Sequence, residues 1–438
     1  MPVAARVQRA LHQVRHSVAA PARNPRMAVV IGRLLALAFL LCFATGLYSH
    51  FLQNPAPWMV FPTRPVWIYQ VSQGLHITAG IACFPLLLAK LYTVFPELFQ
   101  SPPVRSFTHL LERASIAVLV SASLVQITIG LLNTYQAYAW FDFSFRLTHY
   151  ALSWVIIGSL AIHIGVKLPL IARYWRKRDS YHDDGSVLER VDDEDDPDAA
   201  LDVPDELRRL TGESQTHGVT GRVFAWIDKT PPPADDSADA RASRRGFLTA
   251  VAAAVGAVVV LTAGQSFRLF DATNLFAPRK QGVGAQGLPV NRTASAAGVL
   301  ESAMAPEWTL AVSFGGVREV FSLARLEALP QHDVVLPIAC VEGWSQNAPW
   351  RGPRLRDLLD AVGAPADAHV RITSLQERGG FGVTEMQPEF VRDELTLVAL
   401  RLYGETLDID HGYPARIIAP GRPGVLQTKW LSTIEVIS

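Results

Sequence analysis

The chain has 438 residues, of which 40 are basic, 40 acidic and 49% apolar. Balanced charge argues against a nucleic-acid partner, and the length allows about two to four domains. Mean hydropathy is positive at +0.18, and the apolar excess lies in the first 175 residues and in one later stretch, a membrane-protein pattern.

Residues 1–26 form an N-terminal tail with Arg6, Arg9, Arg15, Arg23 and Arg26. Residues 27–175 then read as a four-helix membrane domain. Its segments 27–48, 71–92, 110–132 and 149–171 each supply about 20 mostly apolar residues, enough to cross about 30 Å of hydrocarbon. Arg173, Arg176, Lys177 and Arg178 follow the fourth segment. By the positive-inside tendency both flanks are cytoplasmic. The two outer loops carry only Arg64 and Arg146 as basic residues, but hold Trp58, Trp67, Tyr69, Tyr135, Tyr138, Trp140 and Phe141. These aromatics fit an outer interfacial belt.

Residues 176–243 contain acidic clusters, a triple proline and few large apolar residues. Such a stretch buries too little surface to offset its ordering entropy, so it reads as a disordered cytoplasmic linker. At Ser243 the run S-R-R-G-F-L-T-A, with Arg244, Arg245, Phe247 and Leu248, opens a moderately apolar segment. It resembles a twin-arginine export signal, which implies the twin-arginine export machinery as a partner. The other reading is the basic flank of an ordinary fifth helix. Both make 244–266 a fifth transmembrane helix, retained as an anchor, and send the C-terminal part of the chain to the external side of the cytoplasmic membrane. Residues 267–288 are an external linker. Residues 289–438 are soluble in pattern, with β-rich runs at 308–314, 368–373, 395–402 and 416–419 and a helix at 354–362 with Leu355, Leu358, Leu359 and Val362 on one face.

Ionisable residues inside a bilayer are costly and suggest function. His76 lies in the outer part of the second helix, His149 at the outer start of the fourth and His163 further along it. Fourteen residues separate the last two, so they share a face across about 21 Å of rise. That geometry suits two stacked haems, each iron needing two imidazoles. His76 and His149 form the natural pair for an outer haem. His163 is the candidate for an inner one, with His109 or His16 as partner, while His50 is interfacial. The pattern resembles the four-helix b-type cytochrome subunits that anchor formate dehydrogenases and hydrogenases, and implies one or two haem b groups exchanging electrons with quinone or quinol.

Of the three cysteines, Cys42 and Cys83 lie in membrane helices and Cys340 stands alone in the second half. Without a disulfide partner in its domain it is free to be a ligand or a reactive thiol. It sits in C-V-E-G-W-S, followed by P-W-R-G-P-R-L-R-D-L-L; a second block runs D-H-G-Y-P-A-R-I-I-A-P-G-R-P-G-V-L-Q-T-K-W, and L-P-V-N-R precedes both. Together the blocks resemble the oxidoreductase molybdopterin-binding domain shared by sulfite oxidases, plant-type nitrate reductases and the periplasmic methionine sulfoxide reductase catalytic subunit. The resemblance implies Cys340 as a molybdenum ligand, a role suited to soft thiolate. It implies Arg416 and Lys429 as cations for the cofactor phosphate, and Asn291, Ser374, His411, Gln427 and Thr428 as pterin contacts. His411 departs from the asparagine usual in the sulfoxide reductase branch. Arg292 and Arg422 are further pterin candidates or plain surface charge. Trp344, Trp350 and Arg351 follow Cys340 closely enough to line the metal's open side, where Trp344 and Arg351 would act in catalysis, or the tryptophans are core. Glu342 orients a neighbour or accepts a proton.

The expected architecture is therefore multi-domain: an α-helical membrane bundle of four helices plus a fifth anchor helix, followed by an α+β sulfite-oxidase-type molybdopterin domain. The expected function is two-electron oxygen-atom transfer on a small-molecule substrate at molybdenum outside the membrane, coupled to the quinone pool through haem b. A reductase of S- or N-oxides such as methionine sulfoxide is favoured. A sulfite-type dehydrogenase and a cofactor-free binding module on a cytochrome anchor are the alternatives.

Overall fold

The computed structural model describes residues 22–95, 106–176 and 238–437. His16 and most of the acidic linker lie outside the described residues. Among the described residues, five helices are long and apolar enough to cross a membrane: α1 (Pro25–Gln53), α2 (Ile68–Val94), α3 (Phe107–Thr134), α4 (Phe145–Arg173) and α5 (Ala238–Val260). The first four outrun their apolar segments because helix geometry continues through the polar ends. Helix α5 stops earlier than expected. The chain turns there, and the amides of Leu275 and Phe276 fold back onto the Leu261 carbonyl at 3.0 and 3.1 Å.

The chain divides into two compact units. One comprises Met1–Leu40, Gly80–Gly130 and Phe143–Ala257, and the other Leu41–Ala79, Leu131–Asp142 and Val258–Ser438. In the first, Arg26 donates to the carbonyls of Tyr174 and Trp175 at 2.5 and 2.7 Å. The Tyr92 ring stacks on Phe247 of α5 with centroids 5.3 Å apart. Three charged groups inside the bundle are satisfied internally, as a bilayer requires. Lys90 donates to the Ala28 carbonyl at 2.8 Å, and Lys167 pairs with Glu112 at 2.6 Å.

In the second unit, strands β1 (Thr309–Phe314), β2 (Val317–Ser322), β5 (Val370–Ser374), β6 (Val383–Met386) and β11 (Leu431–Val436) form a five-stranded sheet in the order β2-β1-β11-β5-β6. Strands β3 (His332–Ala339), β4 (Ser345–Gly352), β8 (Arg401–Leu402) and β9 (Glu405–Thr406) form a second sheet in sequence order, while β10 (Arg416–Ile418) pairs with β7 (Leu397–Ala399). All pairs are antiparallel except β1 with β11, in register Ala311 to Thr433. The helix Leu355–Asp360 buries Leu355, Leu358 and Leu359, the expected face.

Leu52 of α1 and Tyr69 of α2 belong to the same buried cluster as Leu310, Leu358, Ile417 and Ile434. The C-terminal end of α1, the N-terminal end of α2 and the sheets thus share one core. Tyr69, expected in an interfacial belt, is only 1% exposed and pairs with Ser49 at 3.1 Å; Trp58 and Trp67 stay exposed. Arg64 forms a fork with Asp393 at 2.8 and 3.1 Å, worth up to about 1 kcal/mol at a partly exposed site. Leu310, at the centre of β1, is fully buried. Leu310→Ala should therefore destabilise this unit by about 2–5 kcal/mol, read as a lowered denaturant midpoint by tryptophan fluorescence.

Candidate functional site

Cys340 follows β3 and opens the turn into β4. Its N–H donates to the Trp344 carbonyl at 2.9 Å, and the Gly343 N–H donates back to the Cys340 carbonyl at 3.0 Å. Gly343 has φ +102°, which glycine alone adopts readily. The thiol is 1% exposed at a small cleft lined by Leu288, Pro289, Asn291, Ile338, Trp344, His411, Arg416 and Gly424. A Cβ on Gly424 would stand 3.0 Å from the Ala339 carbonyl oxygen, so glycine there lets its loop close against Cys340. The three sequence blocks converge on this cleft.

Its electrostatics are those of an anion site. Arg416 is buried, donates to the carbonyls of His411 and Gln427 at 3.0 and 3.1 Å, and lies 5.0 Å from the Trp350 ring centroid. The Lys429 ammonium donates to Asn291 Oδ1 at 3.1 Å and to the carbonyls of Arg292 and Asp410 at 2.6 and 2.9 Å. Burial pulls Arg416 down to about 9 and, with Arg416 alongside, Lys429 to about 7. The acceptors holding both cations are amide oxygens rather than carboxylates, so a phosphate entering the cleft would meet cations already desolvated and aimed. His411 pairs with the Ala285 carbonyl at 2.7 Å, and burial lowers its pKa to about 4, so its imidazole is neutral at pH 7. Burial, with Glu342 adding to it, pushes the Cys340 thiol well up. A coordinated metal reverses that, because a ligating thiol is deprotonated outright. Burial likewise raises Glu342, against hydrogen bonds donated by Gln136 at 2.6 Å and Trp344 at 3.3 Å.

The other expected contacts divide. Ser374, Gln427 and Thr428 lie behind the cleft and fix backbone. Ser374 donates to the Lys429 carbonyl at 2.7 Å, Gln427 spans both backbone groups of Ala419 at 2.8 Å, and Thr428 pairs with Thr384 at 2.7 Å. Arg292 donates to the Ala296 carbonyl and buried Arg422 to that of Glu385. Arg351 does not reach the cleft. Alternation along β4 turns Trp350 into the core and Arg351 to the opposite face, where it pairs with Asp333 at 2.8 Å. Trp350, 1% exposed, is core under Arg416 rather than substrate wall.

The C-terminal end of α3 with the segment after it, and the N-terminal turns of α2, supply contacts that no sequence signal marks. Asn133 and Gln73 donate to the Val341 carbonyl at 3.1 and 3.4 Å, and Gln136 bridges Glu342 and the Asn291 carbonyl at 2.6 and 2.8 Å. Ile77 is the nearest neighbour of the Cβ position at Gly343, at 3.0 Å. The Cys340 turn is therefore clamped by residues from the membrane half.

His76 Nδ1 lies 2.9 Å from the Cys42 carbonyl, which selects the tautomer leaving the Nε2 lone pair to a metal. A Cβ on Gly46 would sit 3.1 Å from that ring. His149 packs against Gly130, whose Cβ position is 3.6 Å away. His163 lines a cavity of about 2030 Å³ with His109, Lys90, Glu112 and Lys167, and its buried Nδ1 has no hydrogen-bond partner among the described residues.

Two family models match the chain. Residues 297–438 match the model of the oxidoreductase molybdopterin binding domain, and residues 26–178 that of prokaryotic cytochrome b561. The chain thus carries a region that matches cytochrome b561 followed by one that matches a molybdopterin-binding oxidoreductase domain, and five helices among the described residues are long and apolar enough to cross a membrane. It is 34% identical over 149 residues to the protein-methionine-sulfoxide reductase catalytic subunit of Gluconobacter oxydans, covering 30% of this chain and 47% of that protein. It is 30% identical over 155 residues to sulfite oxidase of Arabidopsis thaliana, covering 28% and 39%. It is 29% identical over 120 residues to a putative protein-methionine-sulfoxide reductase subunit of Azospira oryzae, covering 27% and 44%. The matches thus span less than half the length of each relative. Molybdopterin and haem b are the cofactors of the two domains. The cation cleft beside a buried thiol fits the first, and the half-buried His76 imidazole with one nitrogen already engaged fits the second. Lys429→Met, which keeps the length and removes the charge, should lower molybdenum per purified chain at least about tenfold, read by elemental analysis.

Proposed function

We propose that this chain reduces an S-oxide such as methionine sulfoxide at molybdenum outside the cytoplasmic membrane, with electrons from quinol delivered through haem b. In the balanced reaction, sulfoxide plus quinol gives thioether, quinone and water: the S=O bond breaks, its oxygen leaves as water with two protons, and two electrons move from quinol to sulfur. Molybdenum bound to the pterin supplies the two-electron oxygen-atom chemistry. Cys340 holds the metal, and Asn291, His411, Arg416 and Lys429 hold the pterin. Ser374, Gln427, Thr428 and Arg292 set the backbone that presents Lys429. Trp344, held by the turn, walls the open side. His76 and His149 are the iron ligands of the outer haem, and His163, in its cavity with His109, of an inner one. Arg244 and Arg245 serve twin-arginine export of the domain C-terminal to them.

The placement of Arg351 carries the choice of substrate. Sulfite is an anion and needs cations at the open coordination site, whereas an oxidised thioether is suited by an apolar wall. Arg351 turns away to Asp333, and Arg354 donates to the Glu394 carbonyl at 3.1 Å. Arg416, Asn291 and His411 also line the cleft but are taken up by the pterin in this reading, which leaves Leu288, Pro289, Ile338 and Trp344 for the substrate and supports the thioether reading. Steady-state turnover of the purified chain with methionine sulfoxide and with sulfite tests it. Reduction of the sulfoxide is expected. Turnover with sulfite alone would replace this reading by a sulfite-type dehydrogenase feeding quinone.

A further inference from the structure

Gln265, in the turn after α5, is 2% exposed, yet neither its Nε2 nor its Oε1 has a hydrogen-bond partner among the described residues. An amide buried with both ends unmet carries the full desolvation penalty of each group. Its Nε2 lies 3.2 Å from the Cβ position of Gly343, and Ile77 Cγ1 lies 3.0 Å from the same point. The amide therefore sits where the helix bearing His76 meets the Cys340 turn. Gln73 is one turn outward from His76 and on the same side of α2. It is buried as well, and its Oε1 is also without a partner among the described residues.

A group able to fill such a place must offer both a donor and an acceptor. A carboxyl group carrying its proton does so: its C=O accepts from an amide N–H while its O–H donates to the amide oxygen. A low-dielectric setting favours that neutral form. A haem b carries two propionate carboxyls, and His76, the proposed iron ligand, is three residues from Gln73.

We propose that Gln265, assisted by Gln73, pairs with a protonated propionate of the haem held by His76, and so seats that haem edge against the Cys340 turn at Gly343. The inference rests on the reading of His76 as an iron ligand. It makes Gln265 a positioning residue for the haem and marks Ile77 and Gly343 as the contact across which electrons leave it. Gly343 suits that role, since any side chain would push the two surfaces apart.

Redox-difference infrared spectra of the full-length protein, carrying haem labelled with carbon-13 in its propionates, test the idea. In the wild type a labelled C=O band that moves in heavy water is expected. In Gln265→Leu, with haem content unchanged, it should be lost or displaced, whereas Gln346→Leu, whose side chain bonds Gly287 and Tyr403, should leave it in place. Absence of any protonated, labelled carboxyl in the wild type would overturn the inference, as would identical bands in Gln265→Leu. The wild-type measurement stands alone, so a variant that fails to assemble leaves the test intact. A purified chain without a b-type absorption would instead overturn the haem assignment beneath it.

Discussion

Cys340→Ser is expected to lower turnover with methionine sulfoxide by at least about a hundredfold while leaving the chain folded. The exchange replaces a soft thiolate with a hard hydroxyl of similar size, and a hydroxyl is a poor ligand for a metal otherwise held by sulfur. Pterin content should largely persist, because Asn291, Arg416 and Lys429 lie on other segments and make their own hydrogen bonds. The turn should survive too. Its bonds run through the backbones of Cys340, Gly343 and Trp344, not through the sulfur. Steady-state assay, elemental analysis and thermal unfolding together check this. Turnover and metal content both at wild-type level would remove the sulfur from the mechanism.

The second large effect separates the two halves of the enzyme. His76→Ala should abolish the b-type α band of the outer haem and reduce quinol-driven turnover to background. Turnover driven by a reduced viologen dye, which reaches molybdenum directly, should change by less than about threefold. The physical basis is local. Two imidazoles are needed to hold each iron, and loss of the ring leaves a cavity beside Gly46 and Cys42 without touching the Cys340 cleft. His149→Ala should give the same split. Equal loss of both activities would mean that His76 supports the catalytic unit structurally instead of carrying haem.

Much of this organisation is visible in the sequence, for identifiable reasons. Long apolar runs announce membrane helices because a bilayer imposes length and composition together. Cys340, Asn291, His411 and Arg416 are found through contiguous motifs, and they do meet in one cleft. The features that escaped were set by pairing across the chain. Strand β4 contains Pro349 and no β-branched residue, so nothing local marks it as a strand; it exists because all eight of its residues pair with β3. Without that strand the alternation separating Trp350 from Arg351 is invisible, and Arg351 reads as a neighbour of the metal. Gln136 and Glu342 are 206 residues apart, and the loop carrying the former looks like an aromatic belt. Tyr69 misleads in the same way. Its composition suits a lipid interface, while its actual surroundings come from strands synthesised more than 200 residues later.

That burial of Tyr69 and Leu52 bears on biogenesis. If the C-terminal half is exported already folded around its cofactor, as the proposed twin-arginine route would require, it arrives with an unfilled apolar seat that the ends of α1 and α2 complete. Maturation then has a final step resembling the insertion of a plug into a socket. A secreted fragment lacking the first half of the chain would carry that open socket as a sticky surface.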